Sequence, residues 1–166
     1  MKLKRTTLTL MTLMALSTVV KAQYMPESSA FKVGFARSPM TNSLIGGYTY
    51  FLSQKMYISG NGNFEWGSLH QFDYTSLSGN LLANYSLANI RGVVFFNVGA
   101  GAAVAYDTLK PVSVKGFDYG AIGRVEVETF ITDAVSFIMS GNQTIMSKKE
   151  FGQYRSSFGL GIRLFM

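Results

Sequence analysis

The 166-residue chain contains no cysteine, and that one absence removes disulfides, thiolate nucleophiles and thiolate metal ligands together. Histidine is nearly missing as well. Its sole copy, His70, leaves a Ser-His-acid arrangement with one candidate base, beside Ser68 and Asp73 in sequence. Nothing else supports lipid hydrolysis there, so His70 reads as an exposed loop residue, and the acids are too scattered to suggest a metal cluster. No catalytic residue, cofactor or metal is expected. Long apolar runs are lacking too: residues 8–20 form a run of about 13 and residues 93–106 a run of about 14, whereas a membrane-spanning helix wants about 20.

The first of those runs follows Lys2, Lys4 and Arg5 and ends at Val20-Lys21-Ala22, with small residues at the positions a signal peptidase reads. Residues 1–22 are therefore expected to be a signal peptide cleaved before Gln23, leaving 23–166 as one domain. Removing Lys2, Lys4, Arg5 and Lys21 from 15 basic residues leaves 11 against 9 acidic ones, a net charge of about +2. The basic balance of the whole chain thus belongs largely to the leader and says little about nucleic acid. Direct contact with DNA is not expected.

What the rest of the chain has is glycine, tyrosine, phenylalanine and a period of two. All 17 glycines lie beyond Ala22. From residue 154 onward, Tyr154, Ser156, Phe158, Leu160, Ile162, Leu164 and Met166 alternate with Arg155, Ser157, Gly159, Gly161, Arg163 and Phe165. One face is greasy and the other small or charged, as in a closing strand of an outer-membrane barrel. Similar segments fall at 31–37, 43–52, 55–67, 74–87, 93–107, 117–131 and 136–146, which makes eight, the even number that a closed antiparallel barrel needs. Connections 53–54, 88–92 and 132–135 are tight, while 38–42, 68–73, 108–116 and 147–153 are generally longer, the pattern of short periplasmic turns and longer outer loops. The expected fold is an all-β, eight-stranded, antiparallel up-and-down outer-membrane β-barrel with lipid around it. A secreted lipocalin-type barrel is the rival, with its large apolar residues inside and its charges outside.

In the sixth segment Arg124, Glu126 and Glu128 share one face, and three successive charges cannot sit in hydrocarbon. They belong to the lumen, with Arg155 and Arg163 from the last segment and Lys32, Lys55 and Glu65 as further members. Eight strands enclose too little room for open water, so these charges are expected to pair into a plug; a gated pore is the alternative. Arg37, Lys110, Lys115, Lys148 and Lys149 make the loop end positive, suited to the phosphates of surface lipopolysaccharide or another anionic partner. Gly99-Ala100-Gly101-Ala102-Ala103-Val104 lacks the third glycine of a dinucleotide fingerprint and continues as a strand, so it is no cofactor site.

Four pieces in order, Phe95-Phe96-Asn97-Val98-Gly99-Ala100-Gly101-Ala102, Gly116-Phe117-Asp118-Tyr119-Gly120-Ala121, Val125-Glu126-Val127-Glu128-Thr129-Phe130-Ile131-Thr132-Asp133 and Phe158-Gly159-Leu160-Gly161-Ile162-Arg163, resemble the TraO family of conjugal transfer proteins from conjugative elements of Bacteroidetes. The similarity covers about residues 93–166. It implies an outer-membrane component of a conjugative DNA transfer apparatus, with other conjugation proteins as partners, and it transfers no catalytic residue. A small general barrel serving adhesion, stress or limited permeation is the competing function.

Overall fold

The computed structural model describes residues 24–69, 72–111, 114–148 and 152–166. The expected leader, His70 and Lys149 lie outside these residues. Eight strands follow one another: β1 (Ser29–Arg37), β2 (Thr41–Phe51), β3 (Met56–Leu69), β4 (Phe72–Ile90), β5 (Val94–Lys110), β6 (Val114–Thr132), β7 (Val135–Met146) and β8 (Tyr154–Phe165). Each pairs antiparallel with its neighbour in sequence, and β1 pairs with β8 to close the barrel. The eight-stranded up-and-down fold expected from the alternation is the fold observed.

Alternation sets which way each residue points. Along β8, Phe158, Leu160 and Ile162 face outward, 52 %, 44 % and 48 % exposed, while Gly159, Gly161 and Arg163 are buried inside. Small inward residues are a steric need in places. A Cβ on Gly101 would stand 1.9 Å from the Leu81 carbonyl oxygen, closer than any side chain tolerates, so β4 and β5 can approach there only around glycine. Among the described residues the greasy rows face out of the barrel, while Lys32, Arg124, Glu126, Glu128 and Arg163 face in. That is the reverse of a soluble barrel.

The strands differ in length more than the sequence pattern suggests. β4 and β6 run 19 residues and β5 runs 17, against 9 for β1, 11 for β2 and 12 for β7 and β8. Residues expected in the loops 68–73 and 108–116 are paired instead, as Ser68 with Asp73, Asp73 with Lys110 and Thr108 with Lys115. Polar residues read as loop, yet beyond an apolar band a ladder needs backbone groups rather than greasy side chains. The result is a tall wall, β3 to β6, facing a low wall made by β7, β8, β1 and β2.

Proline explains the shortest strand. Ser38-Pro39 follows Arg37, and Pro39 has no N–H to continue the ladder. The chain turns there, with the Ser38 N–H donating to the Thr41 carbonyl at 2.8 Å. Pairing of β1 with β8 consequently stops at Arg37 opposite Phe158, and residues 154–157 of β8 have β7 on one side and no strand on the other. At the opposite end, where the turns 52–55, 91–93 and 133–134 lie, residues 24–28 fold under the barrel. The Glu27 N–H donates to the Phe51 carbonyl at 2.8 Å, and the Phe51 N–H donates back to that of Ser28 at 3.0 Å.

Candidate functional site

The lumen is the part of the molecule where sequence and geometry concentrate chemistry. Near the end that holds residue 24, β6 sends Glu126 and Glu128 inward, two residues apart and so on one face. Arg163 of β8 bridges both: its Nη2 donates to Glu126 Oε1 at 2.9 Å and its Nη1 to Glu128 Oε2 at 2.5 Å. Lys32 of β1 reaches Glu126 Oε2 at 3.0 Å, and the Tyr57 hydroxyl donates to Glu126 Oε1 at the same distance. Glu128 also accepts hydrogen bonds from Ser136 Oγ and the Tyr24 hydroxyl. Arg163 and Glu128 are 0 % exposed. Taking such charges out of water costs several kcal/mol per ion, which only dense pairing offsets, and here every carboxylate oxygen has a donor.

Below that cluster lies an aromatic floor. Tyr24, inserted from outside the sheet, packs against Phe51, Tyr57, Phe95 and Phe130, with Phe165 against the same group. The Arg163 guanidinium lies 5.2 Å from the centre of the Tyr57 ring, a cation–π contact in a dry setting. Asn97 Nδ2 donates to the Tyr24 hydroxyl at 2.9 Å, so that hydroxyl both accepts and donates. A cavity of about 160 Å3 remains beside Tyr24, partly walled by Lys55 and Phe95.

Toward the other end a second cluster is built on Arg155. Its Nη2 donates to Asp107 Oδ2 at 2.8 Å and its Nη1 to Asp107 Oδ1 at 3.2 Å, a forked pair, while Nη1 also reaches the Tyr74 hydroxyl at 3.1 Å and Nε the Gly152 carbonyl at 3.2 Å. Asp118 stands 3.8 Å from Arg155 Nη2. Its other oxygen accepts from the Tyr119 and Lys148 backbone N–H groups and from Ser147 Oγ, at 2.8, 3.1 and 2.7 Å. Leu82, Ala103 and Ile122 form an apolar waist inside the lumen, and a cavity of about 50 Å3 lined by Asn63, Ser78, Asn142 and Ser157 adjoins Arg155.

Of the eight residues proposed from sequence for a luminal network, the structure brings Lys32, Glu126, Glu128 and Arg163 together. Arg155 belongs to the separate cluster just described. Arg124 is buried near the first cluster, where its Nε donates to Asn142 Oδ1 at 2.6 Å rather than to a carboxylate. Glu65 points inward and lines the same cavities as Arg155, with no ion pair within 4 Å among the described residues. Lys55 is the correction: β3 begins at Met56, so Lys55 falls in the turn 52–55 and is exposed. Sequence reasoning missed Asp107 and Tyr74 as partners of Arg155 and left Asp118 out of the network; their inward parity on β5, β4 and β6 was the available signal. Tyr24 precedes the sheet and gave no periodic signal at all. Arg37, Lys110, Lys115 and Lys148 are exposed at strand ends remote from Tyr24. Among the described residues, no group of three or more His, Cys, Asp or Glu side chains is arranged to hold a metal ion.

Residues 63–166, from within β3 to the end of β8, match the family described as conjugative transposon protein TraO. The chain belongs to the TraO family. The matched region carries Glu126, Glu128, Arg155 and Arg163, whereas Lys32 and Tyr24 precede it. Comparison with curated protein sequences gives no match. Among solved structures, this TraO-family barrel is similar to the N-terminal β-barrel domain of OprF from Pseudomonas aeruginosa, with a TM-score of 0.67 at 15 % identity over 85 % of this chain and 98 % of that one. It also resembles the outer membrane protein OprG from the same organism, with a TM-score of 0.66 at 10 % identity over 89 % and 99 %. Neisserial surface protein A gives 0.64 at 14 % identity over 82 % and 94 %. At these identities the likeness concerns the fold.

Proposed function

We propose that this TraO-family protein is a non-enzymatic, outer-membrane component of a conjugative DNA transfer apparatus. The observation that carries the reading is the inversion of polarity. Ion pairs fill the inside while Phe158, Leu160, Ile162 and their equivalents on the other strands face out, an arrangement stable only if hydrocarbon solvates the exterior. Residues 1–22 serve as the export leader, cleaved before Gln23, and 23–166 form the membrane domain. The lumen is plugged by its own side chains, so DNA does not pass through it. The barrel instead anchors or positions other transfer proteins through its loops or its turns, with membrane lipid and those proteins as its partners.

Deletion in a donor strain tests the process: transfer of the element is lost while growth is unchanged, and the wild-type gene restores it. Normal transfer from the deletion strain overturns the reading and favours a general barrel for adhesion, stress or permeation. Fractionation and heat-modifiable gel migration test the location, since a folded barrel resists detergent until boiled. Planar bilayers test the plug, with no steady conductance expected from the wild-type protein.

A further inference from the structure

A cavity of about 300 Å3 is bounded by Pro39, Met40 and Thr41 on one side and by Tyr154, Arg155 and Ser156 on another, with Glu65 and Tyr74 at its inner end. Tyr154, Arg155 and Ser156 are consecutive residues of a strand, so their side chains point alternately out of and into the barrel. All three can line one cavity only where the neighbouring strand has ended and the wall is open. That is the situation here, because Pro39 ends β1 and leaves residues 154–157 of β8 without a partner on that edge. The cavity is a cleft through the low wall, polar within and apolar outside.

What fits it follows from its two ends. Inside, Arg155 is already committed to Asp107, Tyr74 and Gly152, so it offers little to an anion. Glu65 is the group left over, half-buried and without an ion pair among the described residues. Asp107 and Asp118 set two carboxylates against the single Arg155, so the surroundings of Glu65 keep a net negative charge. Outside, Tyr154 is well exposed at the start of the greasy row of β8, and Met40, in the turn between β1 and β2, is exposed as well. We propose that the cleft is a lateral binding site for an amphiphile with an ammonium head: the head enters the lumen at Glu65 and Tyr74, and the tail lies along Met40 and Tyr154 in the membrane. A cation gains both from the carboxylate and from the Tyr74 ring beside it.

The site rests on the reading that a bilayer surrounds the barrel, and it is tested with the full mature chain refolded into phosphatidylcholine nanodiscs. Trp66, the one tryptophan of the chain, follows Glu65 on β3, faces outward and pairs with Asn42 next to Thr41 of the cleft, and it serves as the reporter. Brominated dodecylamine and brominated dodecanoic acid are titrated as quenchers of its fluorescence. The amine is expected to quench saturably at about a tenfold lower concentration than the acid, a ratio equal to about 1.4 kcal/mol. Glu65→Gln removes that preference, Ser156→Phe blocks the cleft from its outer lip and weakens the amine, and Asp133→Asn in the turn at the opposite end changes neither. Unbrominated dodecylamine relieves the quenching, and butylamine, a water-borne head without a tail, does not. Equal quenching by amine and acid, a preference that survives Glu65→Gln, or displacement by butylamine each overturns the proposal. Heat-modifiable migration is followed in parallel: failure to insert counts against the membrane reading, and insertion without preference counts against the cleft alone.

Discussion

Arg163 and Arg155 sit eight residues apart on β8, both point into the lumen, and both bind carboxylates from other strands, yet their surroundings differ. Arg163 is sealed by the aromatic floor and bonds two glutamates, sharing Glu126 with Lys32 and Tyr57 and Glu128 with Tyr24 and Ser136. Arg155 keeps 17 % of its side chain exposed, leans on Asp107 and borders cavities on both sides. The same chemistry therefore does different work at the two ends. Where water is excluded, each ion is indispensable to its partner, because a survivor would remain charged and unpaired. Where water reaches, solvent takes over part of the lost interaction.

The comparison can be pressed with substitutions scored by urea unfolding of the refolded barrel in lipid. Glu128→Ala leaves Arg163 and Lys32 to share Glu126 alone, one buried cation in the sealed half without a compensating anion, and is expected to cost about 4 kcal/mol, the largest effect. Tyr24→Ala opens the floor beneath it; loss of a buried ring of this size costs about 3 kcal/mol, and a conductance appearing in planar bilayers would show that the floor is also the seal. Arg155→Ala, in the wetter half, is expected to cost only about 1–2 kcal/mol because Tyr74 still donates to Asp107 and water enters. A loss as large as that of Glu128→Ala would erase the distinction between the halves. Lys55→Ala should stay within about 0.5 kcal/mol, as an exposed turn residue does.

Much of this was legible from period two. A charge at inward parity in an otherwise greasy strand, such as Glu126 between Val125 and Val127, has no tolerable place except the lumen, so its position follows from the cost of burying it in lipid. The same rule misled at Lys55, where parity was carried one residue beyond the start of the ladder. It also understated β4 to β6, since Asp73 and Lys110 pair through backbone groups that composition does not reveal. Tyr24 was out of reach for a different reason. Its place depends on the space left between Phe51, Phe95 and Phe130, three strands distant in sequence, and no local spacing encodes a vacancy of that kind.

Glu126, in the middle of β6, is held from both sides of the closing seam, by Lys32 on the first strand and Arg163 on the last. A sheet that has grown from β2 to β7 but not yet curled shut contains the carboxylate and neither of its cations. In any such open sheet its charge stays hydrated until the two outermost strands meet, so pairing of β1 with β8 is also what brings in both cations. Closure and neutralisation are one event, like a keystone that makes an arch bear weight the moment it is set.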